Sequence, residues 1–445
     1  MHRGACRNSE LSSRPGATPD TEPCRTSCAT YCSPCSPKPL KLFIFPANPT
    51  TINPRTGADG LLVAVSRFSG RPGLHVLVTA DTLTGVWTYA RELVTGLITG
   101  GMRVTLVSFG EIPFPQQTSW MQNLHGLDYR PTAFRLEWMQ EGEADLEDSC
   151  NYLQSVIRDV KPDILHFSQY SYGRLSTSIP RVVVAHGDLV SWWLAVHGHE
   201  PRDTRWLRWY RSTVSRGLAE ATAVVSPSNW MKESLRVCYG EPRHDLVIHN
   251  GRNPIYFNPY VSKDDSVLSV GRLWDAGKQV SLLTQHAHPL SVCIVGSDNP
   301  TYAPRTPIRA DVKLATEQVS VALKGPQTEA QLRNLYSRAA IYAATSRYEP
   351  FGMAALEAAL SRCAIVANDI ASFREIWGDC ALYFKANDAD SLAEALRTLS
   401  ADRDLCRAQA NRAYQRARER FTARRMLDDY LQLYRSLIAA RSAAA

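Results

Sequence analysis

Short apolar runs alternate with helix-forming segments along most of this 445-residue chain, and this alternation constrains the fold more than any other feature. The run LHVLVTA from Leu74 predicts a buried strand, apolar residues at helical spacing follow it, and the run MRVTLVSFG from Met102 predicts a second strand. A strand, a helix and a strand in this order form a βαβ unit, which predicts a parallel sheet. Further strands of the same series are predicted from Asp163, Arg181 and Ala221.

A second series of apolar runs predicts another parallel sheet, with strands from Ser266, Leu290, Arg338 and Cys363. Residues 252–265 contain two Asn-Pro pairs and form the predicted hinge between the series. The predicted fold class is therefore α/β, with two Rossmann-like doubly wound domains facing across a cleft that lies at the carboxyl ends of the strands. The predicted boundaries are 1–72 for an extension, 73–258 for the first domain, 259–425 for the second, and 426–445 for a closing helix that crosses back to the first domain.

The composition, with 44% hydrophobic and 21% charged residues, is that of a globular protein. The first 72 residues are instead rich in Pro, Ser, Thr and Cys, which predicts a disordered extension. A disordered tail is favoured over a metal site there, because paired C-x2-C knuckles are missing from the spacing of Cys24, Cys28, Cys32 and Cys35. The net charge of +7 suits anionic substrates or a membrane surface and gives no reason to expect nucleic acid as a partner.

The sequence contains no run that approaches the roughly 18 to 20 apolar residues needed to span a bilayer. It also has no apolar segment of the kind found in secretory signals before residue 40. We therefore expect a cytoplasmic protein, and its charge is compatible with a peripheral contact at the inner face of a membrane.

The segment TSRYEPFGMAALEAAL, from Thr345 to Leu360, is the strongest candidate for a site. Pro350 suits the first turn of a helix, Gly352 allows a ligand to approach the backbone, and the residues after it are strong helix formers. The unpaired amides at the start of such a helix bind phosphate groups. Glu349 and Glu357 lie about two helical turns apart and would contact different parts of one extended ligand.

This segment resembles the E-x7-E region of retaining GT-B glycosyltransferases of family 4, the glycosyl transferases group 1, and the resemblance covers about residues 74–440. It implies that Glu349 contacts the transferred sugar and that Glu357 contacts the nucleotide ribose. The start of the helix, with Phe351, Gly352 and Met353, would then face the diphosphate of the donor.

Two more segments match the same family. In SVGRLWDAGKQ, a predicted strand ends before Arg272 and Lys278, and the resemblance implies that both cations neutralise the nucleotide diphosphate. Two fixed cations can take the role that a divalent metal has in other transferases, so neither a metal nor a cofactor is expected. In the turn between Asp81 and Trp87, Gly85 matches one glycine of the family's Gly-Gly pair, and the resemblance implies that it too contributes to donor binding.

His186 ends a predicted strand in VVVAHGD and matches the active-site histidine of the family, next to the transferred sugar. His166, at the end of another strand, is a second candidate of the same kind, near the acceptor. Asp388 and Asp390 form a D-x-D sequence, but they precede a helical segment and are interpreted as helix-capping residues rather than metal ligands.

The resemblance implies a hexosyl transfer from a nucleotide diphosphate sugar with net retention at the anomeric carbon. The acceptor is left open as a glycan, a lipid or a small molecule. Two alternatives also remain open at this stage. One is a nucleotide-sugar epimerase of GT-B fold, and the other is a non-catalytic protein that binds sugar nucleotides.

Overall fold

The computed structural model describes residues 73–140, 142–298 and 321–444. The predictions for the N-terminal extension and for its four cysteines lie outside these residues. In the described part, no helix is long and apolar enough to cross a membrane.

The first sheet has seven parallel strands among the described residues, in the order β3-β2-β1-β4-β5-β6-β7. Three of its inner strands are buried along their whole length, as the continuous apolar runs predict. The strands are β1 (His75–Asp81), β2 (Arg103–Phe109), β3 (Leu127–Pro131), β4 (Ile164–Phe167), β5 (Arg181–Val184), β6 (Ala223–Ser226) and β7 (Asp245–Val247).

Helices cover both faces of this sheet, and several begin at a side-chain cap. Asp188, Thr204 and Ser228 each accept a hydrogen bond from a first-turn amide, which fixes where three of the helices start. The helices are α1 (Val86–Thr99), α2 (Pro115–Thr118), α3 (Gly142–Val160), α4 (Leu189–His197), α5 (Arg205–Glu220) and α6 (Asn229–Tyr239).

The second sheet has six parallel strands in the described residues, in the order β10-β9-β8-β11-β12-β13. Its strands are β8 (Asp264–Val270), β9 (Ser291–Val295), β10 (Val321–Lys324), β11 (Ala339–Ala344), β12 (Ala364–Asn368) and β13 (Leu382–Phe384). The helices of this half and the C-terminal helices are α7 (Glu329–Arg338), α8 (Met353–Leu360), α9 (Ala371–Trp377), α10 (Ala389–Ala401), α11 (Arg403–Arg420) and α12 (Ala423–Ala444).

The last helix, α12, packs on the first sheet rather than on the second. Its buried residues, among them Leu427, Tyr430 and Tyr434, belong to the same apolar core as α1 and β1. The chain thus crosses between the domains twice, and the two crossings touch: Arg252 and Thr422 form an isolated parallel bridge. Gly251 is required there, because a Cβ at this position would lie 2.2 Å from the carbonyl oxygen of Thr422.

The two parallel sheets with helices on their faces confirm the predicted α/β fold class of two Rossmann-like domains. Asp388 caps the first turn of α10 by accepting from the Ser391 amide at 2.9 Å, as expected for a helix-capping residue.

Candidate active site

The start of α8 is built around Gly352. This residue occupies the N-cap position with φ of 92°, a conformation that glycine adopts at no steric cost. A Cβ here would lie 3.2 Å from the Phe373 ring and 3.3 Å from Cγ of Glu349. Because the N-cap residue has no side chain, the first-turn amides of α8 remain open to an anionic ligand.

The Lys278 ammonium and the Glu349 carboxylate face each other at this helix start. Nζ of Lys278 lies 2.6 Å from Oε2 of Glu349, and the same oxygen accepts a hydrogen bond from Ser346 Oγ at 3.2 Å. Lys278, Glu349 and Gly352 line one small pocket at the carboxyl ends of β8 and β11. A cation, a carboxylate and the open amides of a helix start therefore meet at one pocket.

Arg272 lies in the loop after β8 and is held by Asp275. Its Nη2 donates to Oδ2 of Asp275 at 2.6 Å, and the guanidinium stacks over the Trp274 ring at 5.2 Å. Burial by itself would raise the pKa of Asp275, but the positive charges of the neighbouring Arg272 and Lys278 outweigh this effect. The pKa of Asp275 is therefore lowered, and this carboxylate stays ionised. Asp275 also accepts from the indole Nε1 of Trp192 at 3.1 Å, which ties the loop to α4 of the first domain.

His186 lies just after β5, next to Gly187 and Asp188. Its Nε2 lies 3.4 Å from Ser168 Oγ, and its ring packs edge-on against Tyr89 with centroids 4.4 Å apart. Burial lowers the pKa of His186 to about 3, so the imidazole is neutral at physiological pH. A neutral ring can donate or accept a hydrogen bond to a sugar hydroxyl but supplies no positive charge.

The loop that carries Glu349 contacts the backbone next to His186. The Tyr348 hydroxyl accepts a hydrogen bond from the Asp188 amide at 3.0 Å, and a Cβ on Gly187 would lie 3.2 Å from the same hydroxyl oxygen. Ser228 Oγ donates to the Pro350 carbonyl at 2.6 Å. These bonds join the two domains directly beside the candidate site.

A further interdomain contact adds to the Ser228 cap at the start of α6. The Glu375 carboxylate on α9 accepts from the amide of Asn229 at 2.7 Å and from the amide of Trp230 at 2.9 Å. A carboxylate at a helix N-terminus is favourable because it satisfies open amides and faces the positive end of the helix dipole. The described structure therefore shows the two domains closed onto each other.

The turn with Gly85 lies on the opposite wall, in the first domain. Asp81 organises it by accepting from the amides of Leu83 and Thr84 at 3.0 and 2.8 Å. Burial raises the pKa of Asp81, and the positive charge of Arg272 acts in the opposite direction. Gly85 is exposed, and a Cβ there would meet no atom within 4 Å, so the fold itself does not demand glycine at this position.

The side chains of Glu357 and Phe351, both predicted to bind the donor, already have partners within the protein. The Glu357 carboxylate forms an ion pair with the buried guanidinium of Arg252, with 2.9 Å between Oε1 and Nε. The Phe351 ring lies in the core against Phe421 and His249, so its side chain is not available to contact a ligand. Met353 is partly buried against the same core.

The prediction of an acceptor contact for His166 is wrong. The ring is fully buried, with Tyr89 Oη 3.0 Å from Nε2 and Tyr434 Oη 2.7 Å from Nδ1. His166 therefore joins α1 to the closing helix α12, and it supports the tyrosine that packs on His186.

Sequence reasoning missed the residues that connect the domains around the site. Contacts across the cleft are made by Trp192, Asp275, Tyr348 and Arg252, and no local pattern marks their partners. Asp275 carried the best available signal, since it stands between two predicted cations in GRLWDAGK.

Comparisons with known protein families agree with this architecture. Residues 83–254 match the family model described as Glycosyltransferase Family 4, and residues 258–416 match the model described as Glycosyl transferases group 1. The chain is 26% identical over 313 residues to an alpha-maltose-1-phosphate synthase of Mycolicibacterium smegmatis. This alignment covers 62% of this chain and 76% of that protein.

Solved structures with the same fold cover most of the chain. Sucrose-phosphate synthase from Thermosynechococcus elongatus superposes with a TM-score of 0.67 at 19% identity, over 82% of this chain and 100% of that one. Anabaena Alr3699/HepE in complex with UDP-glucose superposes with a TM-score of 0.62 at 16% identity, over 82% of this chain and 100% of its own.

Proposed function

Because the chain belongs to the glycosyl transferases group 1 and is a glycosyltransferase of GT-B fold, we propose that it moves a hexosyl group from a nucleotide diphosphate sugar to an acceptor hydroxyl, with retention. The acceptor is a glycan, a lipid or a small molecule. One observation carries the proposal: Lys278, Glu349 and the open start of α8 meet in one pocket, at the face of the second domain that contacts the His186 segment of the first.

The diphosphate is assigned to Arg272, Lys278 and the first-turn amides of α8. Charge develops on the leaving phosphate as the glycosidic bond breaks, and fixed cations and helix-end amides stabilise that charge without reorganising. Lys278 is already held at the site by Glu349, 2.6 Å away, and Arg272 by Asp275, also 2.6 Å away. Both cations are therefore oriented before the donor arrives.

The donor sugar is assigned to Glu349 and His186, and the ribose to Glu357. Glu349 has its carboxylate at the pocket and accepts from Ser346, so its remaining acceptor capacity suits the sugar hydroxyls. The neutral His186 ring suits a hydrogen bond to another sugar hydroxyl, because its pKa of about 3 keeps it uncharged. Gly85 completes the opposite wall, where its lack of a side chain leaves open space.

Retention follows most simply from a front-face transfer. The acceptor oxygen forms a bond to the anomeric carbon on the side from which the diphosphate departs, the bond between that carbon and the phosphate oxygen breaks, and the acceptor proton passes to the departing phosphate. Glu349 is the carboxylate among the residues that line the pocket, and its ion pair with Lys278 favours a binding role over attack on the sugar.

Metal independence is part of the proposal. Arg272 and Lys278 supply the positive charge that a divalent cation supplies in other transferases. The D-x-D sequence does not compete for this role, because Asp388 is engaged in capping α10. Activity is therefore expected to persist in EDTA.

The test is to incubate the purified protein with UDP-, GDP- and ADP-sugars and candidate acceptors, and to measure released nucleoside diphosphate and the anomeric configuration of the product. We expect release with one donor, an α-linked product from an α-linked donor, and loss of activity in Lys278→Met. Lys385→Met, at an exposed lysine of the same domain, is the matched control and should retain activity. Epimerised donor without released nucleoside diphosphate, or donor binding without turnover, would overturn the proposal.

A further inference from the structure

Arg252 is a buried arginine whose charge is balanced by three glutamates. Its side chain is 2% exposed and pairs through Nη1 with Glu92, through Nε with Glu357 at 2.9 Å, and through Nη2 with Glu329 at 3.6 Å. The guanidinium also lies over the Phe257 ring, 5.3 Å from its centroid. A charge this deeply buried requires such partners, because water does not solvate it.

The backbone of Arg252 is fixed by the hinge. Its amide donates to the Phe421 carbonyl at 3.0 Å, and its carbonyl accepts from the Ala423 amide at 3.0 Å. Both chain crossings between the domains thus meet at this residue. The backbone position from which the Arg252 side chain extends is therefore fixed. The adjacent Gly251 allows this close approach of the two crossings.

The three glutamates come from both domains. Glu92 lies on α1 of the first domain, whereas Glu329 and Glu357 lie on α7 and α8 of the second. Arg91, next to Glu92 on α1, also forms an ion pair with Glu329. The complete cluster therefore exists only while the domains are closed onto each other.

Within the cluster, the position of the Glu357 carboxylate depends on its ion pair with Arg252. The ion pair uses Oε1 of Glu357, and the side chain keeps 13% exposure, so the carboxylate retains acceptor capacity for a ligand on its other side. Although burial opposes it, hydrogen bonds and charge from Arg91 and Arg333 lower the pKa of Glu329 to about 2, so Glu329 stays ionised beside Arg252. Without Arg252, three carboxylates would face one another in a largely buried space.

We propose that Arg252 is a positioning residue that holds the Glu357 carboxylate for the ribose of the donor and couples this position to closure of the domains. This inference rests on the proposed function, in which Glu357 accepts hydrogen bonds from ribose hydroxyls. The role is one of positioning, since Arg252 acts on the donor through Glu357.

The experiment compares a ligand that carries a ribose and a base with one that consists of the diphosphate alone. Isothermal titration calorimetry measures the dissociation constants of inorganic pyrophosphate and of the tightest binder among UDP, GDP and ADP. In Arg252→Met, the nucleoside diphosphate should bind about tenfold or more weakly, as expected when a charge-assisted contact is lost, while pyrophosphate binds as in the wild type. Glu357→Gln should behave in the same way, and the double variant should be no weaker than Glu357→Gln alone.

Two further variants keep the proposal falsifiable if Arg252→Met does not fold. Arg252→Lys retains the charge but not the fork of donors, so an intermediate loss for the nucleoside diphosphate and none for pyrophosphate is expected. Arg181→Met removes a partly buried arginine that bonds the carbonyls of Leu175 and Glu220 far from the cleft, and it should leave both affinities unchanged.

Equal losses for pyrophosphate and nucleoside diphosphate in both Arg252 variants, or losses that add to those of Glu357→Gln, would overturn the positioning role. The proposed function fails separately, and takes this inference with it, if the wild type binds none of the three nucleoside diphosphates. Wild-type binding that is sensitive to Glu357→Gln and insensitive to both Arg252 variants overturns the inference alone.

Discussion

Lowering the pH from 7 to 5 is expected to destabilise the first domain through His166. The ring is completely buried, and its neighbours are the hydroxyls of Tyr89 and Tyr434, the Tyr430 ring at 5.0 Å and the nearby His186. Burial, together with the charge that His186 would carry, lowers the pKa of His166 to about 3. Protonation of the folded protein is therefore disfavoured throughout this range.

The size of the effect follows from the difference between the folded and unfolded pKa values. Between about pH 6.5 and pH 3 the unfolded chain binds a proton at this histidine and the folded chain does not, so stability falls as the pH falls. A pH of 5 lies about 1.5 units below the ordinary pKa of an unfolded histidine, which corresponds to a loss of about 2 kcal/mol of stability relative to pH 7. His186, with its pKa also lowered to about 3, contributes in the same direction.

The measurement is urea unfolding at pH 7 and pH 5, followed by circular dichroism, for the wild type and His166→Gln. Glutamine can still donate and accept a hydrogen bond but does not titrate, so the variant should lose about 2 kcal/mol less than the wild type between the two pH values. His199→Gln, at an exposed histidine, is the control and should behave as the wild type does. Equal pH dependence in the wild type and His166→Gln would refute the reasoning.

Three further changes test the cleft. Lys278→Met should slow release of nucleoside diphosphate by about 100-fold or more, because a fixed cation at the leaving group is lost; an unchanged rate in the donor assay would contradict its assignment. Gly352→Ala should weaken nucleoside diphosphate binding in calorimetry by about tenfold, since φ of 92° costs a non-glycine residue about 1–2 kcal/mol; wild-type affinity would argue against this helix start as the phosphate site. Glu375→Ala removes the carboxylate that binds the Asn229 and Trp230 amides across the domain contact and should favour separated domains by about 1 kcal/mol, seen as a larger radius of gyration in small-angle X-ray scattering; an unchanged radius would show that this contact does not hold the domains together.

The central strands were predictable from sequence because they are buried on both faces and read as continuous apolar runs. The nine predicted runs each contain a strand of the structure. The edge strands β3, β7, β10 and β13 were missed because they are short or partly exposed, as in LDYRP of β3, and therefore lack such a run. An apolar run identifies a strand only where the strand is buried, and an edge strand is too exposed to need such a run.

Residues of the site loops were predictable from sequence where a short segment alone determines the conformation. The need for Gly352 at a helix start, and the place of Lys278 after a strand, are properties of short segments. The contacts of Arg252 with Glu92 and Glu357 join residues far apart in the chain, and their pairing depends on how the domains close. His166 shows the converse, since a strand end that resembles a site can lie inside the core.

The central claim is that a nucleoside diphosphate is held between the two domains by fixed cations and a helix start. A crystal structure with the tightest-binding nucleoside diphosphate tests it most directly. The diphosphate should lie within hydrogen-bonding distance of Lys278, Arg272 and the Met353 amide, with the ribose on Glu357. Density for the diphosphate on any other surface of the protein, with this cleft unchanged, would contradict the account.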